Sequence, residues 1–241
     1  RIRYRVADVL FPPLCAGCGE RGTWLCERCF PTMPSFDTLP GLCRRCGLPV
    51  VSGRCGCSAL HPKVAKAVSG WPYGGWVANS VIGAKYEGEK DRAQFLGAVL
   101  VMSEASSLLE AADYVVPVPM FEKKRLERGY NQAEMIAETA CRLLGRSLPT
   151  PLLLQHEERP SQVGLSANAR RTNVRGTFSL AEEFAVPQGS RIALVDDVRT
   201  TGATIAACVD ALRSLRPRRI DVVTLAAELP RSVMEDLGLA T

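Results

Sequence analysis

Two stretches of this 241-residue chain hold residues whose types and spacing suit chemistry. The first lies near the start, where eight of the ten cysteines fall as close pairs: Cys15-Ala-Gly-Cys18, Cys26-Glu-Arg-Cys29, Cys43-Arg-Arg-Cys46 and Cys55-Gly-Cys57. A CxxC turn aims two sulfurs at one point, and two such turns complete a tetrahedron around Zn²⁺. Gly19 and Gly47 each follow the second cysteine of a pair. A glycine there can take the positive φ that turns the chain back under a metal. The alternation predicts two sequential ribbons, one from Cys15, Cys18, Cys26 and Cys29, the other from Cys43, Cys46, Cys55 and Cys57. The CxC pair strains a tetrahedral chelate, so the count is one or two zinc ions. His61 stands close enough in sequence to replace a sulfur, and interleaved pairing is the other arrangement. Four-cysteine sites leave no open coordination position, so the metal is expected to be structural. The module then offers a docking or nucleic-acid surface.

The second stretch is Arg191-Ile-Ala-Leu-Val-Asp-Asp-Val-Arg-Thr-Thr-Gly-Ala-Thr204. An all-apolar run, as buried parallel strands are, leads into two adjacent carboxylates and a Thr/Gly loop that opens a helix. Successive backbone N–H groups, the hydroxyls of Thr200, Thr201 and Thr204 and a helix N-terminus suit a phosphate monoester. Gly202 lets the backbone approach the anion. Asp196 and Asp197 can accept hydrogen bonds from two vicinal hydroxyls of a ribose. The two halves together describe a ribose 5-phosphate site. A response-regulator acid pocket or a Walker-B strand would share the acids, but no Gly-x4-Gly-Lys-Ser/Thr loop stands upstream.

These residues need a frame. Beyond the cysteines, Ala59–Ala65 reads as a linker and Ala67–Tyr86 as short strands and turns. Lys90–Ala111 carries helical spacing, and Tyr114–Val118 is a short strand ended by prolines. Asn131–Leu144 is a helix stopped by Gly145, with Asn131 as N-cap or ligand. Thr204–Leu215 is a helix before Pro217, and Ile220–Ala226 is a buried strand. Strands alternating with helices predict an α/β fold, a parallel sheet flanked by helices. The division expected is 1–62 for a double zinc-ribbon module and 63–241 for the α/β domain. Cys141 and Cys208 lie in the helical stretches, where burial is their expected role.

The formal charge of +5 is concentrated at the start, where residues 1–62 carry eight arginines and four acids. Eight thiolates with two Zn²⁺ would bring that module to about neutral, so basicity is weak evidence for nucleic acid. No apolar run reaches the roughly 20 residues of a membrane span. No secretory leader is evident, and paired cysteines then favour metal over disulfides, which predicts a cytoplasmic protein.

The acid pair with Thr200-Thr201-Gly202-Ala203-Thr204 resembles the signature of type I phosphoribosyltransferases. More closely, the chain resembles the ComF family of competence-associated proteins along nearly its whole length. The likeness includes the cysteine pairs, Lys85-Tyr86-Glu87-Gly88 and Val116-Pro-Val-Pro119. It continues through Arg125, Arg128-Gly129-Tyr130-Asn131-Gln132, Gln162-x-Gly164-Leu165 and Arg170-Arg171-x-Asn173-Val174-x-Gly176-x-Phe178. Arg199, at a position often aromatic in relatives, and Ala169, where an acid is usual, depart from the pattern.

That resemblance implies a type I phosphoribosyltransferase fold binding phosphoribosyl pyrophosphate with Mg²⁺, and so a pentosyl transferase whose acceptor no motif names. Asp196, Asp197, Arg170 and Arg171 would be catalytic. Val198, Arg199, Thr200, Thr201, Gly202, Ala203, Thr204, Pro119, Met120 and Arg125 would bind the ligand. The segment after Pro119 would be the pyrophosphate loop, and Glu158–Phe178 a loop closing over the site. Arg125 and Arg128 either face phosphates or flank the next helix as surface charge. Lys85-Tyr86 either meets an acceptor or packs. The family also implies single-stranded DNA and a DNA-uptake helicase or recombination mediator as partners. Trp24, Phe30, Trp71, Tyr73 and Trp76 would then be stacking platforms, with core packing as the alternative. A regulator using phosphoribosyl pyrophosphate as a signal is the remaining reading.

Overall fold

The central pair of strands is built from two nine-residue runs, β5 (Arg191–Arg199) and β6 (Arg219–Ala227). Both are almost wholly buried, and both faces must therefore be covered. With β1 (Val64–Pro72) and β2 (Tyr114–Pro117) they form a sheet of order β1-β6-β5-β2, parallel throughout. The computed structural model describes residues 12–86, 88–156 and 177–239.

Alternation along the strands separates two cores. Ala193, Val195, Val223 and Leu225 enter one, while Ile192, Leu194, Ile220 and Val222 enter the other. The first core is closed by α1 (Gly75–Tyr86), α2 (Lys90–Val101), α3 (Ala105–Ala111) and, beyond the short α4 (Glu122–Arg128), by α5 (Gln132–Leu143). The second is closed by α6 (Ala203–Leu212) and a two-stranded antiparallel pair, β3 (Leu153–Gln155) and β4 (Phe178–Leu180). A last helix, α7 (Arg231–Asp236), adds Met234 to the first core. Cys141 and Cys208 are both fully buried, as their helical setting predicts.

The expected parallel α/β class is the one found, with local differences. Ala67–Tyr86 is one long strand followed by a twelve-residue helix, not several short strands. Trp71 lies near the end of the strand and Trp76 at the start of the helix; their rings meet edge-on at 6.0 Å and both are buried, so the chain turns between them and continues as a helix. Lys90–Ala111 is two helices, because Ser103 Oγ turns back onto Leu100 O at 2.8 Å. Among the described residues no helix is long and apolar enough to cross a membrane.

The cysteine-rich segment straddles the β1 edge. Its first half places Ala16, Leu25, Phe30 and Met33 on one core, and its second half places Cys46, Leu48 and Leu60 on the other. Phe30 stacks on Trp76 at 5.9 Å, and Trp76 Nε1 donates to Phe30 O. Phe30, Trp71 and Trp76 are thus core residues, the packing alternative. Edge strands expose unpaired backbone groups, and here Ala67 N donates to Arg45 O at 2.7 Å. Gly47 makes that approach close: it holds φ +65°, and a Cβ on it would stand 2.6 Å from Ala67 O. Gly19 has a similar φ, with nothing within 4 Å of its Cβ position. Gly19→Ala should therefore cost about 1–2 kcal/mol, the left-handed strain alone. Gly47→Ala should cost roughly 1–3 kcal/mol more through overpacking. Paired urea denaturation curves measure the difference.

Candidate functional site

β5 carries its polar end out of the sheet. Asp196 lies in register with Thr224 of β6, and Asp197, 8 % exposed, follows it. Each carboxylate accepts its neighbour's backbone N–H, Asp197 N on Asp196 Oδ1 at 2.9 Å and Val198 N on Asp197 Oδ1 at 2.6 Å. The strand ends at Arg199, and Thr200, Thr201 and Gly202 turn into α6. Gly202 has φ +73°, and a Cβ there would stand 2.8 Å from Ala59 O, so the turn is pressed against the cysteine-rich segment.

A cavity of about 460 Å³ opens at this end of the sheet. Asp196, Asp197, Val198, Thr200 and Thr204 line one side, and Val118, Pro119, Met120 and Phe121 another. Lys124 and Arg128 of α4 bring positive charge, and Gln155 and Phe178 stand at its margin. Asn131 caps α5, its Oδ1 accepting from Ala133 N at 3.1 Å while its Nδ2 donates to Val118 O. Gln132 accepts from Arg128 through Oε1, and its Nε2 is buried with no hydrogen-bond partner among the described residues. An orphaned buried donor on a cavity wall suits a ligand oxygen.

Sequence reasoning missed the nearest partner of the acids. Lys85, at the last turn of α1, places Nζ 2.8 Å from Asp197 Oδ2. Burial works against its ammonium, but the charge and hydrogen bond of Asp197 and the charge of Asp196 outweigh it and hold the pKa above the ordinary lysine value. Tyr86 is exposed and does not pack. The only sequence signal was the Lys85-Tyr86 pair itself; its partner lies more than a hundred residues away.

The other anticipated ligand residues divide. Pro119, Met120, Val198, Thr200 and Thr204 line the cavity. Thr201 and Gly202 line an adjoining cavity of about 450 Å³ with Leu60 and Arg231, and Ala203 begins α6. Arg125 is not on the cavity wall; it pairs with Glu134 at 3.2 Å. Arg199 also points elsewhere. Its buried guanidinium donates from Nη2 to Cys46 O at 2.7 Å. Arg170, Arg171 and most of Glu158–Phe178 lie outside the described residues. Tyr73 lines the cavity, and Trp24 lies under the Arg92 guanidinium at 4.6 Å.

The eight cysteines form two groups in the sequential order. In each group, Cys15/Cys18/Cys26/Cys29 and Cys43/Cys46/Cys55/Cys57, all four Sγ atoms lie within 4.8 Å of one another. Cys18 and Cys26 sulfurs are 3.8 Å apart, and those of Cys43 and Cys57 3.5 Å. A tetrahedron of Zn–S bonds of about 2.3 Å has edges of about 3.8 Å. His61 is not in the second group; its Nε2 faces Asp210 at 3.4 Å. Titration chemistry agrees with a cation. Burial raises the Cys15 thiol, but backbone N–H donors led by Cys26 bring it down to about 6. Backbone donors from Cys46 and Arg45 bring Cys43 to about 6. Cys29 is pushed up to about 12 by the Cys26 sulfur and burial, and Cys57 to about 12 by burial and Cys55. Four crowded sulfurs cannot all ionise without a positive ion among them. Both groups can hold zinc.

Fold and site together define the class: a parallel α/β protein with a Thr/Gly turn after its central strand and two four-cysteine groups across one sheet edge. No protein-family model matches the chain. It is 31 % identical over 172 residues to the DNA utilization protein YhgH of Salmonella typhimurium, covering 68 % of this chain and 74 % of that one. It is 29 % identical over 209 residues to Competence protein F of Haemophilus influenzae, covering 84 % and 90 %. A 38-residue stretch is 47 % identical to an orotate phosphoribosyltransferase of Phenylobacterium zucineum, covering 16 % and 20 %. The chain belongs to the ComF family.

Arg199 stands beside the second sulfur group; burial holds its pKa below the ordinary arginine value, and the charges of Cys46 and Cys57 oppose that shift without cancelling it. Removing that cation should weaken metal held there, since such outer contacts are worth about 10–100-fold in affinity. Arg199→Met should release the second zinc to a chelator at least tenfold faster, with the first unchanged. Zinc release followed with a colorimetric chelator, against Cys46→Ser as the second-site marker, checks this.

Proposed function

We propose that the cavity binds phosphoribosyl pyrophosphate with Mg²⁺, and that the protein is a phosphoribosyltransferase-type member of the ComF family working in DNA uptake or use of exogenous DNA. The observation that carries the reading is that Asp196, Asp197, Thr200 and Thr204 line one cavity at the carboxyl ends of parallel strands. The curated relatives named for competence and DNA utilization support the biological setting.

In this reading the turn Thr200–Thr204 and the N-terminus of α6 hold the 5-phosphate. Asp196 and Asp197 accept the ribose hydroxyls and fix the ring. The Gln132 amide and the Arg128 and Lys124 cations face the diphosphate. Transfer breaks the anomeric C–O bond, the acceptor forms the new bond, and both electrons of the old one leave with pyrophosphate. Cations that meet the growing negative charge therefore lower the barrier. Mg²⁺, which prefers hard oxygen ligands, would arrive on the diphosphate and neutralise part of that charge; the two carboxylates fit its water shell. Arg170 and Arg171 would join from the segment joining β3 to β4, whose ends Gln155 and Phe178 border the cavity. A reducing compartment such as the cytoplasm keeps the eight cysteines available to zinc.

A second reading, a single-stranded DNA end in the same cavity, is favoured by α4. Lys123, Lys124, Arg125 and Arg128 lie on this one helix, and its Leu126 is 77 % exposed. A helicase or recombination mediator would be the protein partner there.

Calorimetric titration of phosphoribosyl pyrophosphate with Mg²⁺ tests the first reading. Wild type should bind, and Asp196→Asn/Asp197→Asn should lose roughly a hundredfold to ten-thousandfold, since each of the two charged hydrogen bonds is worth about 1.5–3 kcal/mol. No binding by folded, zinc-loaded wild type would reject it. For DNA, Lys124→Ala/Arg128→Ala should flatten the slope of log affinity against log salt by about 1–2 if both meet phosphates; an unchanged slope would reject α4 as the contact.

A further inference from the structure

The contact between Lys85 and Asp197 has a consequence for how metal enters. Lys85 reaches the acid pair from two strands away, since α1 follows the edge strand β1 while the acids lie near the end of the interior strand β5. Its backbone is clamped. Tyr130 OH donates to Ala84 O, the carbonyl just before it. Gly83, two residues back, packs so tightly that a Cβ would stand 2.6 Å from Glu89 Oε2 and 2.8 Å from Arg92 Nε. The side chain has more room: it is 27 % exposed and borders the cavity. The ammonium can therefore swing while the helix stays. At 2.8 Å from Asp197 Oδ2, it occupies space on the carboxylate that a metal-bound water or a ribose hydroxyl would need.

We propose that Lys85 is the resident cation of the acid pair: it holds Asp197 when the cavity is empty, keeps free divalent metal out, and yields the carboxylates only to metal already carried by an anionic ligand. This rests on the phosphoribosyl pyrophosphate reading for the identity of that ligand. A free dication meets a like charge at the carboxylates. A metal–diphosphate complex brings its own anionic oxygens, which accept the displaced ammonium. Lys85 thus favours the complex over the bare ion, a choice the two aspartates cannot make. Among the described residues Lys85 is the cation paired with Asp197, while Lys124 and Arg128 line the same cavity from α4.

The experiment is a titration of Mn²⁺ into the full zinc-loaded chain without phosphoribosyl pyrophosphate, read by the loss of the free-ion paramagnetic resonance signal. K85M should bind Mn²⁺ about tenfold or more tighter than wild type, the effect of one removed charge some 4 Å from a dication even in water. K85R keeps the charge and should match wild type, and adding D197N to K85M should abolish the gain. Equal affinities in wild type and K85M, or a gain that survives D197N, would overturn the assignment. A parallel titration of the Mg²⁺ complex of phosphoribosyl pyrophosphate separates the two ideas. Wild type that binds the complex while K85M gains no free-metal affinity keeps the ligand and removes the role of Lys85. A Mn²⁺ gain in K85M with no binding of the complex by wild type supports Lys85 as guard of the acids and removes the ligand.

Discussion

Asp196 and Asp197 stand near the end of β5, Asp197 buried and Asp196 partly so, and two neighbouring carboxylates short of water repel each other unless positive charge is supplied. Much of the molecule is arranged around that supply. Backbone N–H groups of the next residues turn onto the carboxylate oxygens. Lys85 arrives from the first helix, and α4 brings Lys124 and Arg128 to the far wall. The turn after β5 opens into α6, whose N-terminus adds partial positive charge. Acids and cations thus face one cavity from separate elements, each fixed by its own packing.

The cysteine-rich segment belongs to this arrangement and is not an appendage. Its first sulfur group lies over the core of Trp71 and Trp76, its second over the core of Leu194 and Ile205, and the chain between them crosses the β1 edge. The second half of the segment touches the turn after β5 twice, through Arg199 on the Cys46 carbonyl and Gly202 against Ala59. A segment with so little apolar core of its own gains from any metal its sulfurs can hold. Its shape and the geometry of the turn are linked through these contacts.

Arg199 illustrates why the departure from the family's usual residue leaves the cavity intact. Its position at the end of β5 points its side chain off the cavity wall and toward the ribbon. An aromatic ring there would fill the same space without a hydrogen bond to Cys46. The arginine adds a donor and a charge beside the sulfurs, and its cost is desolvation, which works against its cation.

What the sequence determined by itself was local. The four cysteine pairs suggested a sequential grouping because each chelating turn is a few residues long, but interleaved pairing and His61 stayed open until the fold brought the sulfurs together. The strand, acid pair, turn and helix of Arg191–Thr204 were legible because they are contiguous, whereas Asn131 read as cap or ligand until its side chain was seen to accept from Ala133 N. Tertiary structure alone decided the rest. The strand-then-helix form of Ala67–Tyr86 accompanies the burial of Trp71 and Trp76 against each other. The division among cations, Lys85 and Arg128 on the cavity, Arg125 on Glu134 and Arg199 on Cys46, follows from strand order and helix direction. Charge carries no address along the chain: which carboxylate or carbonyl a lysine or arginine meets is fixed only when distant elements pack.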